Sequence, residues 1–270
     1  MRRILAMTWG SLATQFCLEL GFGVLLALYF VPKAPVGKLF YRMMAATAML
    51  PIAAAVGVPL YVGSASLTDP IVWSAGLALL GGPLVAGGQG GGAGRRWLPG
   101  MAWSTVWTVV ALVLAVRASS VVEGPSALVL GSLSAMATGA VAGSVGLAMV
   151  LGHWYLTVPK LDVAHLARLN RVTVTSMLVS LALLIASCLV FADQLNSART
   201  PLLGPWGLFY LGTRVTVGLA LPLLFAWMTA GSLKFKNTRS ATGILYASTI
   251  LVLIGTAASL WLQDSYGVPI

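Results

Sequence analysis

The sequence predicts an all-α integral membrane protein of about eight transmembrane helices. Three observations lead to this prediction. The 270 residues are 59% hydrophobic and only 8% charged, whereas a soluble domain carries about 25% charged residues. Apolar runs long enough to cross a bilayer, about 20 residues each, recur along the whole chain. The segments between these runs are short, and they carry most of the basic residues.

The runs are taken as spans in chain order. The first follows Arg2 and Arg3 and resembles a signal peptide, but Gln15 and Glu19 interrupt it and no small-residue cleavage site follows, so we expect a retained span. The third run ends in the glycine-rich stretch 87–94 and is the weakest. The predicted spans are 5–31, 42–63, 71–90, 98–117, 127–157, 172–192, 206–231 and 241–263.

The fifth span, 127–157, is unusually rich in glycine, alanine and serine. Small side chains let helices approach closely in a membrane, so this span is expected at the centre of the bundle. Pro51 and Pro222 lie within the second and seventh spans and are expected to kink them.

Basic residues mark alternate connections between the spans. Cytoplasmic loops are enriched in lysine and arginine, so these connections are expected inside, and both termini outside, in a bacterial-type cytoplasmic membrane. Only Arg2 and Arg3 oppose this orientation. The net charge of +10 is spread over the loops and does not predict nucleic-acid binding. The basic connections contain Lys33 and Lys38; Arg95 and Arg96; Lys160, Arg168 and Arg171; and Lys234, Lys236 and Arg239.

Two connections share a sequence. Residues 31–39 and 158–166 are identical at five of nine positions, at an offset of 127. This match favours two four-helix halves, 1–126 and 127–270, integrated in one membrane domain and related by a parallel internal repeat. The alternative is that the match does not reflect a repeat, because any cytoplasmic end of a membrane helix tends to carry proline followed by lysine.

Glu19 and Arg214 are charged residues placed well inside predicted spans. A charge at the bilayer centre costs about 2.5 to 3.5 kcal/mol on insertion scales, so such residues usually face the bundle interior and pair. We expect an intramembrane Glu19–Arg214 ion pair or a proton site at Glu19. The alternatives are a purely structural pair, or an arginine that extends towards the interface.

His153, Trp154 and Tyr155 end the fifth span. An imidazole there would contact a quinone, or would ligate a haem shared with a partner chain, with the aromatic rings as walls. The alternative is an ordinary helix end in the aromatic belt at the interface.

Signatures of chemistry are otherwise missing from the sequence. It has no P-loop and no HExxH motif. No paired carboxylates and no metal-ligand spacing are found, and Cys17 and Cys188 both fall inside predicted spans. We therefore expect no metal site and no catalytic activity of the chain alone.

Two four-helix bundles in one chain resemble the membrane subunit of polysulfide-reductase-type complexes, which binds quinone without a cofactor of its own. The resemblance is one of architecture, and that family's sequence motifs are not matched. It implies a non-catalytic membrane subunit of an electron-transfer or quinone-linked complex, in contact with membrane lipid and with other membrane or cytochrome subunits. The alternative is a small-solute or ion transporter or channel that uses Glu19 and Arg214.

Overall fold

The computed structural model describes residues 9–31, 37–87, 97–120, 124–158, 161–198 and 200–268, and every regular element in these ranges is helical. The predicted all-α fold is confirmed at this level. The helices are α1 Trp9–Leu28, α2 Gly37–Val62, α3 Pro70–Leu80, α4 Gly82–Gly87, α5 Trp97–Ser119, α6 Pro125–Thr157, α7 Ala164–Val190, α8 Ala192–Ser197, α9 Pro205–Gly212, a π-helix Thr213–Ala220, α10 Leu221–Lys234 and α11 Thr238–Tyr266.

Seven helical segments of the described chain are long and apolar enough to cross a membrane. They are α1, α2, α5, α6, α7, α11 and the continuous segment Pro205–Lys234, which contains the π-helix. These segments support a multi-pass membrane protein. The predicted third span, 71–90, is instead divided into the 11-residue α3 and the 6-residue α4. Pro83 follows two glycines at the break, and proline has no backbone N–H to continue the α-helical hydrogen-bond pattern.

Two predicted boundaries differ from the structure. The connection 158–171 was expected to precede the sixth span, but α7 begins at Ala164 and includes Arg168 and Arg171. The side chain of Asp162 accepts a hydrogen bond from the backbone N of Ala164 at 3.0 Å, which stabilises this earlier start. The second helix also begins earlier than expected, at Gly37.

Helix α6 lies at the centre of the bundle and is the most buried of the seven long segments, as its small residues predicted. It packs against α1 backbone to backbone. A Cβ atom on Gly143 would overlap the backbone of Gly23, and one on Gly139 would overlap the carbonyl group of Glu19. Glu19 is therefore held at the same depth as Gly139.

Contacts between helix ends bring the basic turns to one end of the bundle. Arg168 Nη1 donates to the carbonyl oxygen of Phe30 at 3.4 Å, and the rings of Phe40 and Trp154 pack with centroids 5.4 Å apart. At the opposite end, side-chain hydrogen bonds join the last turns of α5 and α11 to α1. The described basic residues of the first end are Arg42, Arg168, Arg171, Lys234, Lys236 and Arg239, whereas Lys33, Arg95, Arg96, Lys160 and both termini lie outside the described residues.

Helix neighbours follow the same order in the two parts of the chain. In the first part α1 packs on α2 and α5, and α3 packs on α2 and α5. In the second part α6 packs on α7 and α11, and α10 packs on α7 and α11. The two parts meet mainly along α1 and α6. The candidate site lies beside this central seam.

Candidate functional site

Glu19 occupies the middle of α1 and is only 2% exposed. Its Oε1 accepts a hydrogen bond from Gln15 Nε2 at 2.9 Å, one helical turn earlier. Its Oε2 is buried and has no hydrogen-bond partner in the described structure. Buried polar atoms are nearly always hydrogen-bonded, so an unpartnered carboxylate oxygen is a marked exception.

Gln15 and Gln263 form a reciprocal amide pair that joins α1 to α11. Each Nε2 donates to the Oε1 of the other at 3.0 Å. Gln263 Nε2 also donates to Ser119 Oγ at 2.8 Å, which brings α5 into the same network. All three side chains are buried. The hydrogen bonds therefore connect Glu19 to the ends of α5 and α11, opposite the basic turns.

Arg214 lies in the π-helix and is also only 2% exposed. Its Nη2 donates to Thr138 Oγ1 at 3.0 Å and to Ser180 Oγ at 2.8 Å. Its Nε is buried without a partner in the described structure. The guanidinium is thus held by α6 and α7 through two hydroxyl groups.

Proline and glycine explain the local backbone around Arg214. Pro222 has no backbone N–H and disrupts the regular α-helical pattern before it. Leu221 N instead donates to the carbonyl oxygen of Thr216, the five-residue spacing of a π-helix. On the same segment Gly218 packs directly against Gly255 of α11, where a Cβ atom on either residue would overlap the other. The expected distortion at Pro222 is therefore a wider helical turn that carries Arg214.

Glu19 and Arg214 carry opposite charges and are both buried inside the bundle. Their hydrogen bonds, however, go to neutral side chains: Gln15 for the carboxylate, and Thr138 and Ser180 for the guanidinium. Thr138 directly precedes Gly139, which contacts Glu19, so the two charged groups lie at a similar depth. A direct ion pair between them, or a proton site at Glu19, stays a prediction.

His153, Trp154 and Tyr155 make three separate contacts at the basic end. His153 is exposed, with Nδ1 3.4 Å from the hydroxyl oxygen of Tyr246. Trp154 packs on Phe40, and the Tyr155 hydroxyl donates to the carbonyl oxygen of Asp162. A quinone or haem contact at these residues stays a prediction. Within the described ranges, no group of three or more His, Cys, Asp or Glu side chains is arranged to hold a metal ion.

The sequence did not indicate the neutral part of the network. Gln15 was visible as a polar interruption one turn before Glu19, and this four-residue spacing could have suggested their hydrogen bond. Ser119, Thr138, Ser180 and Gln263 gave no such signal, because single hydroxyl and amide side chains are common in membrane helices. Their roles depend on contacts between residues distant in the chain.

Comparisons with family models, with curated proteins and with solved structures found no match to this chain. No residue role is therefore transferred from another protein. The function of each side chain is inferred from its own contacts.

Proposed function

We propose that this chain is a membrane transporter or channel for a small solute or ion, in which Glu19 binds a proton or cation and Arg214 provides the opposite charge. The observation that carries this proposal is the pair of buried, unpartnered atoms, Glu19 Oε2 and Arg214 Nε, on two side chains of opposite charge. A purely structural network would be expected to satisfy both atoms.

The chemistry follows from charge balance in a medium of low dielectric constant. An ionised Glu19 compensates the charge of Arg214, since isolated charges in the membrane are costly. Binding of a proton to Oε2 removes that compensation and leaves a net positive charge beside the π-helix. This change would favour either entry of an anionic solute or a shift of the π-helix. Irregular π segments are frequent at functional sites.

The polar network also supplies a direction of access. Glu19 lies ten residues after the start of α1 at Trp9, which corresponds to a depth of about 15 Å along the helix. Buried polar side chains of Gln15, Gln263 and Ser119 lie on this side of Glu19. Access to Glu19 is therefore proposed from the end opposite the basic turns.

The test is proton flux into liposomes that contain the purified full-length chain, driven by a potassium diffusion potential. The experimental variant is Glu19→Gln/Arg214→Gln, which removes both charges and leaves neither unpaired. The control is Asp264→Asn, which removes an exposed carboxylate beside Gln263. We expect flux in the wild type and the control, and flux at the level of protein-free liposomes in the double variant.

Infrared spectroscopy over a pH titration provides a second measurement. A protonated-carboxyl band that is present in the wild type and absent in the double variant would identify Glu19 as a proton-binding group. Such a band without flux would support a carrier that moves protons only together with a solute. If neither the flux nor the band depends on Glu19, the proposed function is wrong.

A second candidate is the non-catalytic subunit of an electron-transfer or quinone-linked complex. The observation in its favour is that His153 is exposed at the basic end beside Tyr246, where a quinone or a partner cytochrome would meet it from the lipid. Purification in mild detergent separates the two candidates. A haem absorption band or bound quinone that is lost in His153→Ala would favour the second.

The proposed internal repeat is supported by the arrangement of helices. The order of neighbours around α1 and α2 matches that around α6 and α7, and α1 and α6 would be equivalent helices on either side of the axis. The two buried charged residues would then lie in different halves, 1–126 and 127–270. Glu19 lies in the first half and Arg214 in the second, so the site would be formed between the halves.

A further inference from the structure

A cavity of about 320 Å³ lies between α7 and α10 at the basic end of the bundle. Its wall residues include Asn170 and Arg171 from α7 and Leu233 and Lys234 from α10. The volume is at the lower end of the range of about 300–1,000 Å³ for small-molecule sites. This size suits a compact polar group rather than a large cofactor.

The charge of the cavity is positive. Arg171 and Lys234 are both exposed and reach it from different helices. In the part of the chain that the structure describes, no carboxylate pairs with either of them. Asp162, near the start of α7, accepts a hydrogen bond from the backbone N of Ala164. Two cations on facing helices are well placed to hold a phosphate group.

Asn170 adds a built polar group to the wall. It is only 4% exposed, and its Nδ2 donates to the carbonyl oxygen of Ala226 at 2.9 Å. Its Oδ1 is buried and has no donor in the described structure. The wall therefore combines two exposed cations, Arg171 and Lys234, with the buried amide of Asn170.

The surroundings of the cavity are apolar and face outward. Its wall is completed by Val163, Ala164, Ala167, Ala230 and Leu233. Trp227 lies one turn before Ala230 on the same face of α10 and is 73% exposed. An exposed apolar face of a membrane helix contacts acyl chains. A ligand with both a phosphate group and acyl chains would thus match the cavity and the helix face together.

We propose that this cavity binds the headgroup phosphate of an anionic phospholipid from the leaflet at the basic end. Arg171 and Lys234 hold the phosphodiester, and the acyl chains lie along α10 past Trp227. A free phosphate ion shares the first of these contacts but not the last. The site is separate from Glu19 and Arg214, so it is tested independently of the proposed transport.

The experiment is native mass spectrometry of the full-length chain released from nanodiscs with equal amounts of phosphatidylglycerol and phosphatidylcholine. The test variant is Arg171→Gln/Lys234→Gln. The matched control is Arg42→Gln/Arg239→Gln, which removes two exposed positive charges from the same end but outside the cavity. Each cation near an anionic headgroup contributes about a fivefold preference. We expect the test variant to lose most of the phosphatidylglycerol preference and the control to retain it.

Two results would overturn the proposal. An equal loss in both double variants would indicate diffuse attraction by the basic surface rather than a site. Displacement of bound phosphatidylglycerol by an excess of inorganic phosphate would indicate a site for the free anion. Retention of the lipid against inorganic phosphate, together with loss in the cavity variant alone, supports the lipid site.

Discussion

Glu19 and Arg214 have opposite charges, are buried in the bundle and make their hydrogen bonds to neutral side chains. Gln15 contacts the carboxylate, whereas Thr138 and Ser180 contact the guanidinium. Hydrogen bonds of this kind lower the cost of burial but leave the formal charges in place. The stability of each charged group should therefore depend on the presence of the other.

A double-mutant cycle tests this dependence. Removal of one partner of a buried charged pair costs about 3 kcal/mol or more, since the other charge is left uncompensated. Glu19→Gln and Arg214→Gln should each lower the melting temperature in detergent by about 6–12 °C. Glu19→Gln/Arg214→Gln should regain at least half of the summed loss. Additive losses in the double variant would show that the two charges are not coupled.

The sequence predicted the two buried charged residues but not the side chains that contact them. A carboxylate or guanidinium within an apolar run is conspicuous, so Glu19 and Arg214 were identified directly. Gln263 was not, because its partner Gln15 is 248 residues away in the chain. Helix packing determines such contacts, so they cannot be predicted from a single sequence before the fold is known.

Among the elements, apolar composition predicted helices well and their boundaries less well. The long helices α1, α5 and α6 coincide closely with predicted spans. Helix α7 begins eight residues before the predicted 172, because its first two turns carry basic residues that an apolar window excludes. The predicted third span is split at Gly81, where glycine and proline weaken the helix in a manner that composition alone does not reveal.

The seam between α1 and α6 offers a sharp test of packing. A methyl group on Gly143 would overlap the backbone of Gly23, and a backbone atom cannot rotate away as a side chain can. Overpacking in a closely packed core typically costs about 1–3 kcal/mol. Gly143→Ala should therefore reduce the free energy of unfolding, measured in detergent, by at least this amount.

Gly146 provides the control on the same helix. A Cβ atom at Gly146 would meet no other atom within 4 Å. Gly146→Ala should leave stability unchanged or raise it by up to about 1 kcal/mol, because alanine is the better helix former. If both alanine variants are equally stable, the close approach of α1 and α6 is not as described.

For the whole molecule, the distribution of charge between the two ends is the main determinant of orientation. The basic end holds six described lysine and arginine residues, whereas Asp69, Asp193 and Asp264 lie at helix ends on the opposite side together with Arg117. Positive residues are retained in the cytoplasm during insertion. The positive-inside pattern therefore predicts that the proposed lipid site lies in the inner leaflet and that the entry to Glu19 lies on the outer side.

Labelling of single cysteines with a membrane-impermeant maleimide in intact cells tests this orientation. Cys17 and Cys188 are first replaced by serine, and Thr68→Cys or Arg239→Cys is then introduced at exposed positions of opposite ends. The positive-inside pattern predicts that Thr68→Cys reacts in intact cells and that Arg239→Cys reacts only after the membrane is permeabilised. The reverse result would invert the chain in the membrane. Access to Glu19 would then open to the cytoplasm, and the proton gradient would reach the site from the side opposite to the one proposed.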